Sequence, residues 1–176
     1  MLRTLTTVTF VYDQREDRIA AAINAGRSEA WSCWLTRRLA LALLEQASGY
    51  VSKSSDLAKQ APAEMRNEFA AFEREAALAS TAGAMSKTPA EILKSSAEAA
   101  ELADRVTISR HSKGGFKLEW LGQSGEGVVG LLSRDEMQRM LQMLGGVVAK
   151  AGWVSVPQQP QAAPAVAAAA PKPVRH

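Results

Sequence analysis

The sequence predicts an α+β fold in which two β-β-β-α repeats, related by a pseudo-twofold axis, share one core. Three observations predict this fold. Residues 7–51 and 105–148 follow the same pattern at a nearly constant offset of 97 or 98 residues, which indicates an internal repeat. Each repeat contains short stretches that alternate at period two and then a helical pattern. The chain has 176 residues, the length of one ordinary domain, so both repeats must build one core.

The matched positions carry the same residue types or equivalent apolar residues. They are Val8 and Phe10 with Val106 and Ile108; Ile19, Ala21 and Ile23 with Phe116, Leu118 and Trp120; Leu35-Thr36-Arg37 with Leu132-Ser133-Arg134; and Leu44, Ala47, Tyr50 and Val51 with Leu141, Leu144, Val147 and Val148.

The first repeat, residues 5–52, begins with three predicted strands at 7–12, 19–23 and 31–34. Their apolar residues alternate with polar or small ones, as expected for strands with one buried face. Thr36 is the predicted N-cap of a helix that runs to about Val51, where Gly49 and a serine-rich stretch are expected to end it.

The second repeat, residues 105–153, has the same order of elements. Strands are predicted near 105–111, 116–121 and 127–132, with glycine-containing turns between them. Ser133 is the predicted cap of the helix 134–151.

A helical insert, residues 55–104, separates the repeats. Met65, Phe69, Phe72 and Ala76 share one face of a predicted amphipathic helix. The segment Thr88-Pro89-Ala90-Glu91 predicts the start of another helix, which is expected to end near Leu102. A three-stranded meander exposes one sheet face, so we expect the insert to cover part of it. Residues 154–176, rich in proline and alanine, predict a disordered, flexible tail.

Composition and the N-terminus favour a cytoplasmic protein. The chain has no apolar run near the roughly 18 residues of a membrane span, and its start lacks the apolar region of a signal peptide. Cys33 is the single cysteine, so no internal disulfide can form. The net charge of +3 is small. Residues 105–153 hold seven bases against four acids, which makes the second repeat the basic half.

No residue pattern indicates catalysis, a cofactor or a metal, and the sequence therefore predicts a protein that is not an enzyme. Gly125, Gly127 and Gly130 match the spacing of a dinucleotide loop, but no strand follows the next helix, and a hairpin turn is the predicted role. His111 is the only histidine before the C-terminal residue. With one distant cysteine it cannot complete a metal site at recognised spacings.

The helices indicate a binding or adaptor protein that contacts a protein partner and forms a homodimer. The run Leu39–Leu44 is apolar on every side, and the second helix has a methionine-rich face. Such faces occur in cores as well as at adaptable interfaces, and a purely core role remains open. The candidate interface residues are Leu39, Leu43, Met137, Met140, Met143 and Trp153.

Single-stranded nucleic-acid binding is the alternative function. If Val106 and Phe116 face inward, Lys117 lies on an outer face near Arg110, His111 and Lys113, and a basic strand face can bind single strands. The segment 106–118, with its Lys113-Gly-Gly-Phe116 turn, resembles the start of a repeat in the PUR-repeat and Whirly-like single-stranded nucleic-acid-binding proteins. That resemblance implies two intertwined repeats that bind single strands. The chain departs from it in having three predicted strands per repeat rather than four.

Overall fold

A computed structural model describes residues 1–54, 60, 62–65, 76, 88–112 and 114–153. Over these residues the protein contains seven strands, three α-helices and a short 3₁₀ turn at Ala63–Met65. The strands are β1 Leu2–Thr4, β2 Val8–Asp13, β3 Arg18–Ile23, β4 Trp31–Leu35, β5 Glu101–Arg110, β6 Phe116–Gly122 and β7 Gly127–Leu132. The helices are α1 Arg37–Lys53, α2 Ala90–Glu98 and α3 Arg134–Lys150. The predicted α+β class is confirmed.

All seven strands form one sheet in the order β1-β7-β6-β5-β4-β3-β2. Strands β2–β4 form one antiparallel meander, which leads into α1, and strands β5–β7 form another, which leads into α3. The two meanders meet where β4 pairs in parallel with the start of β5, through Cys33 with Glu101 and Trp34 with Leu102.

The sheet is strongly curled, because its two edge strands are consecutive in the chain. Leu5–Thr7 alone join β1 to β2, and four Cα steps span at most about 14 Å. A flat seven-stranded sheet would separate these edges by roughly 28 Å. Asn24, which is 1% exposed, holds the joint: its Oδ1 accepts from the Thr6 and Thr7 N–H groups at 2.9 and 3.1 Å, and its Nδ2 donates to the Thr4 carbonyl at 2.6 Å.

The concave face and one side of α1 and α3 form the core. Alternate strand residues point inward, as the period-two pattern predicts, so that Ile19, Leu35, Phe116 and Trp120 are each at most 1% exposed. Phe10 on β2 reaches Trp120 on β6, with the two ring centroids 6.1 Å apart. This contact joins strands that are separated by three others in the sheet and agrees with its curl.

The insert covers one part of the convex face, as expected. Helix α2 packs on β3 and β4, where Ala20 and Ala22 are 4% and 3% exposed. The Ser32 hydroxyl donates to the Ser96 carbonyl of α2 at 2.6 Å. Small side chains on the strands therefore let the helix approach closely.

Three boundaries differ from those predicted. Helix α1 continues through Gly49 to Lys53, because Ala47 and Val51 bury the face of its last turns. Helix α2 ends at Glu98 rather than near Leu102, and β5 begins at Glu101 rather than near 105.

Two further parts of the chain also bear on these predictions. Strand β1 was absent from the predicted elements, since three residues are too few to show an alternation. The predicted helix at 65–76 lies almost wholly outside the described residues, and the tail 154–176 lies entirely outside them.

Candidate functional site

The predicted nucleic-acid residues lie around the hairpin that joins β5 to β6. Arg110 pairs with Phe116, whose side chain is buried, whereas Ser109 pairs with Lys117. Because neighbouring strand residues point to opposite faces, Arg110 and Lys117 lie on opposite sides of the sheet. Lys113 lies outside the described residues. The face proposed from sequence is therefore divided, with Arg110 and His111 in one place and Lys117 in another.

Arg110 and His111 line a cleft of about 580 Å³ at the end of the β5–β6 hairpin. The cleft also includes Arg134, the first residue of α3, and Ser54, which follows α1. Its described lining residues are Ser54, Arg110, His111, Ser112, Gly114, Gly115, Phe116 and Arg134. Sequence reasoning did not identify Arg134 or Ser54, although the match of Arg134 to Arg37 marked it as the first residue of an equivalent helix.

Two glycines bring the hairpin close to the start of α3. Gly114 and Gly115 have φ values of 88° and 79°, which favour glycine. A Cβ atom on Gly115 would lie 2.5 Å from the Leu132 carbonyl oxygen. The turn is closed by the His111 N–H, which donates to the Gly115 carbonyl at 3.2 Å. This close approach puts His111 and Arg134 on the walls of one cleft.

A capping box begins α3 beside the cleft. The Ser133 hydroxyl accepts from the Glu136 N–H at 3.2 Å, and the Glu136 carboxylate accepts from the Ser133 N–H at 2.7 Å. Hydrogen bonds to its carboxylate from the backbone and then the side chain of Ser133 lower the pKa of Glu136. The carboxylate is thus held against the helix end as an anion, where the helix dipole favours negative charge.

The end of the other meander is filled by Trp153. Its indole N–H donates to the Asp17 carboxylate at 3.0 Å, and its ring meets Tyr12 edge-on with centroids 5.8 Å apart. Arg37 donates to the Trp153 carbonyl at 3.0 Å. The hydrogen bonds from Trp153 and then Tyr12 lower the pKa of Asp17, and the bond to Asp17 raises the pKa of Tyr12.

Glu101 links the two meanders at the β4–β5 junction. Its carboxylate accepts from the Trp31 indole N–H, the Ser124 N–H and the Ser124 hydroxyl, each at 2.8 Å. Burial raises the pKa of Glu101, but these hydrogen bonds outweigh it, and the pKa is lowered overall. A Cβ atom on Gly122 would overlap this carboxylate.

Cys33 is fully buried beside this junction. Burial raises the pKa of its thiol, and the nearby charge of Glu101 adds to the effect. A thiol in such surroundings is a poor nucleophile.

Most of the candidate interface residues lie in the core of the single chain. Leu43, Met137, Met140 and Trp153 are at most 6% exposed, so they offer no contact surface to a partner in this conformation. Leu39 and Met143 are partly buried against the same core. The apolar helix faces are used within the chain because the curled sheet wraps around both helices.

The convex face of β1, β6 and β7 carries a mixed surface that we call the outer patch. It consists of Leu2, Thr4, Lys117, Glu119, Val129 and Leu131. Leu131 is 63% exposed and Leu2 is 43% exposed. Lys117 and Glu119 form an exposed ion pair at 3.5 Å. No helix among the described residues packs on this patch.

Other features of the chain fit simple structural roles. Gly125 has a φ of 80° in the β6–β7 turn, and Gly127 and Gly130 lie in β7, so the glycine pattern forms a hairpin. Among the described residues, no three potential metal ligands come together. Nor is any helix in those parts of the chain long and apolar enough to cross a membrane.

Comparison of the chain with protein-family models, curated proteins and solved structures finds no match.

Proposed function

We propose that this chain is a non-enzymatic binding or adaptor protein that acts through protein–protein contacts as a homodimer. The outer patch is the proposed interface between the two copies. The observation that carries the proposal is the exposure of Leu131 and Leu2, at 63% and 43%, on a convex face that is covered by α2 over β3 and β4. Exposed apolar residues grouped on one face are typical of interaction sites.

The covered half of the convex face supports this assignment. Over β3 and β4, helix α2 buries Ala20 and Ala22. The repeat offset of 97 residues matches Ala20 with Lys117 and Ala22 with Glu119. The second meander therefore has larger side chains where the first has small ones under a helix, and its face suits a partner from outside the chain.

A duplication with a pseudo-twofold axis is part of the proposal. Helices α1 and α3 both have 17 residues, start 97 residues apart, and follow the side-chain caps Thr36 and Ser133. In addition, β1 runs parallel to β7, and the start of β5 runs parallel to β4. A short strand next to each unit therefore pairs with the last strand of the other unit, and this arrangement supports intertwined repeats.

The charges on the outer patch favour a second copy as the partner. Lys117 and Glu119 lie side by side on β6, two residues apart, next to Leu131 and Val129 on β7. A twofold axis through such a patch would bring Lys117 of one copy against Glu119 of the other around a shared apolar centre. Self-complementary surfaces of this kind are what an isologous dimer requires.

Sedimentation velocity over a range of protein concentrations tests the proposal. We expect the wild-type chain to dimerise and Leu131→Glu to shift the population to monomer, because it places two carboxylates at the axis. Val11→Glu is the matched control: Val11 is 37% exposed on β2, away from the patch, and the change should leave association unaltered. A monomeric wild type, or equal association of the wild type and Leu131→Glu, would contradict the proposal.

Single-stranded nucleic-acid binding is retained as the second candidate, because Arg110, His111 and Arg134 converge on one cleft. The sheet face supports nucleic-acid binding less than the cleft does. Phe116 and Trp120, the aromatic residues of β6, are 1% and 0% exposed, so neither can stack on a base, and Lys117 is paired with Glu119.

The triple change of Arg110, Lys113 and Lys117 to glutamine distinguishes the two functions. If the protein binds single strands, affinity should fall and the log–log salt slope should flatten by roughly 0.7 for each lost phosphate contact. If it is an adaptor, dimerisation and partner binding should not change. Fluorescence anisotropy with a mixed-sequence oligonucleotide at several salt concentrations gives the measurement.

A further inference from the structure

The cleft at the β5–β6 hairpin is lined by polar side chains from three separate elements. Arg110 ends β5, Arg134 begins α3, and Ser54 follows α1. His111 and Ser112 belong to the hairpin turn. Arg134 and His111 each already interact with other groups of the chain.

The charge of the cleft is positive over its described lining. Two guanidinium groups and one imidazole line it, with two serine hydroxyls and no carboxylate among the described residues. Glu136, two residues after Arg134, is turned back to the Ser133 N–H. An arginine guanidinium presents several donors in a plane and suits a phosphoryl group with several acceptor oxygens.

The size of the cleft fits a small molecule. Its volume of about 580 Å³ lies within the roughly 300–1,000 Å³ that is usual for ligand pockets. The accessible lining contains apolar as well as polar atoms, which adds an apolar part to the polar wall. A ligand that carries one strongly anionic group on a small organic body would match both parts.

We propose that this cleft binds a small organic phosphomonoester, with Arg110 and Arg134 contacting its phosphoryl oxygens. A dianionic phosphoryl group suits two guanidinium groups better than a single carboxylate does. The glycine turn is the element that makes the site, since any side chain at Gly115 would drive the hairpin away from Leu132 and from Arg134.

Isothermal titration calorimetry of the full chain with phenyl phosphate at low salt tests the proposal, with benzoate titrated in parallel. We expect saturable binding of phenyl phosphate with a stoichiometry of one, and at least about tenfold weaker binding of benzoate. Arg110→Gln should weaken phenyl phosphate binding about tenfold or more, because it removes a charge-assisted contact.

Arg105→Gln is the matched control, since Arg105 is an exposed arginine on the same strand that does not line the cleft. It should leave the affinity within about twofold, as expected for a surface residue outside the site. Arg134→Lys provides a second variant in case Arg110→Gln unfolds the protein, and it should weaken binding while the melting temperature is retained. No saturable binding by the wild type, or equal losses for Arg110→Gln and Arg105→Gln, would overturn the proposal.

A short oligonucleotide with a 5′-phosphate separates the small ligand from a nucleic-acid end. Binding no tighter than that of phenyl phosphate supports the small phosphomonoester. Binding more than about tenfold tighter, lost in Arg110→Gln, would overturn the small ligand in favour of a nucleic-acid terminus.

Discussion

Replacing Trp153 by alanine should unfold the protein at a markedly lower temperature. Trp153 is 6% exposed, and it connects the end of α3 to Tyr12, Asp17 and Arg37. Truncating a buried tryptophan to alanine costs about 3–5 kcal/mol. For a domain of this size that corresponds to a fall in melting temperature of about 10 °C.

Trp153→Phe separates packing from hydrogen bonding. It keeps an aromatic ring against Tyr12 but removes the indole N–H that donates to Asp17, so the loss should be clearly smaller than for alanine. The pKa of Asp17 is lowered by that hydrogen bond. Stability from a group with a lowered pKa is present above its unfolded-state pKa and is lost as the pH falls through the folded value. The difference between the wild type and Trp153→Phe should therefore shrink below about pH 4.

Thermal unfolding followed by circular dichroism at pH 7 and pH 3 provides the measurement. A chain truncated after Val154 is the control, and its melting temperature should stay within about 2 °C of the full chain, since the residues beyond it show no apolar periodicity. If the melting temperature of Trp153→Ala equalled that of the truncated control, the contacts of Trp153 would not stabilise the end of the first meander. If the loss in Trp153→Phe were the same at both pH values, its indole N–H would not bond to the Asp17 carboxylate.

Three other changes test the remaining contacts. Asn24→Ala should lower the free energy of unfolding in urea by about 1–3 kcal/mol, because it leaves the part-buried N–H groups of Thr6 and Thr7 without their acceptor. A loss under about 0.5 kcal/mol would contradict this role. Glu101→Gln should lower the free energy of unfolding by about 1 kcal/mol at pH 7 and by less below about pH 4, because the pKa of Glu101 is lowered. Equal losses at both pH values would show that the charge of Glu101 does not contribute to stability. Gly115→Ala should destabilise the protein more than Gly114→Ala, because a Cβ atom on Gly114 would meet no neighbour within 4 Å. The melting temperature of Gly115→Ala should therefore be the lower of the two.

The strands and helices of both meanders were predictable because their apolar periodicity is strong. Ile19, Ala21 and Ile23 alternate with residues of the other face, and both long helices start at a recognisable cap. The place where α1 ends was not predictable from local composition. Gly49 lowers helix propensity by about 1 kcal/mol, and the burial of Ala47 and Val51 outweighs that cost.

The pairing of the edge strands and the curl of the sheet needed three-dimensional information. Leu2–Thr4 is too short to show a pattern, and its partner β7 lies about 125 residues away. The sequence does place Asn24 in a turn, and its φ of 51° suits asparagine. The Asn24 side chain bonds to Thr4 on one side of Leu5 and to Thr6 and Thr7 on the other. These contacts depend on how the sheet curls, and no local sequence pattern encodes the curl.

The sequence indicated which residues of the candidate site are basic but not which of them lie together. Alternation along β5 and β6 separates Arg110 from Lys117 by the thickness of the sheet. The buried methionines of α3 were ambiguous for a related reason. A broad apolar helix face is equally suited to a core and to an interface, and only the wrapping of the sheet decides which one it meets.

In the proposed duplication, the two units differ most at the ends of their meanders. The repeat offset matches Arg37 with Arg134 and Tyr12 with Arg110. In the first unit, Arg37 holds the carbonyl of Trp153, and Tyr12 packs on its ring. In the second, Arg134 and Arg110 line a cleft. Equivalent inward residues must fill one shared core, which limits how far they can diverge. Meander ends and the convex face are free of that constraint, and both proposed binding surfaces lie there.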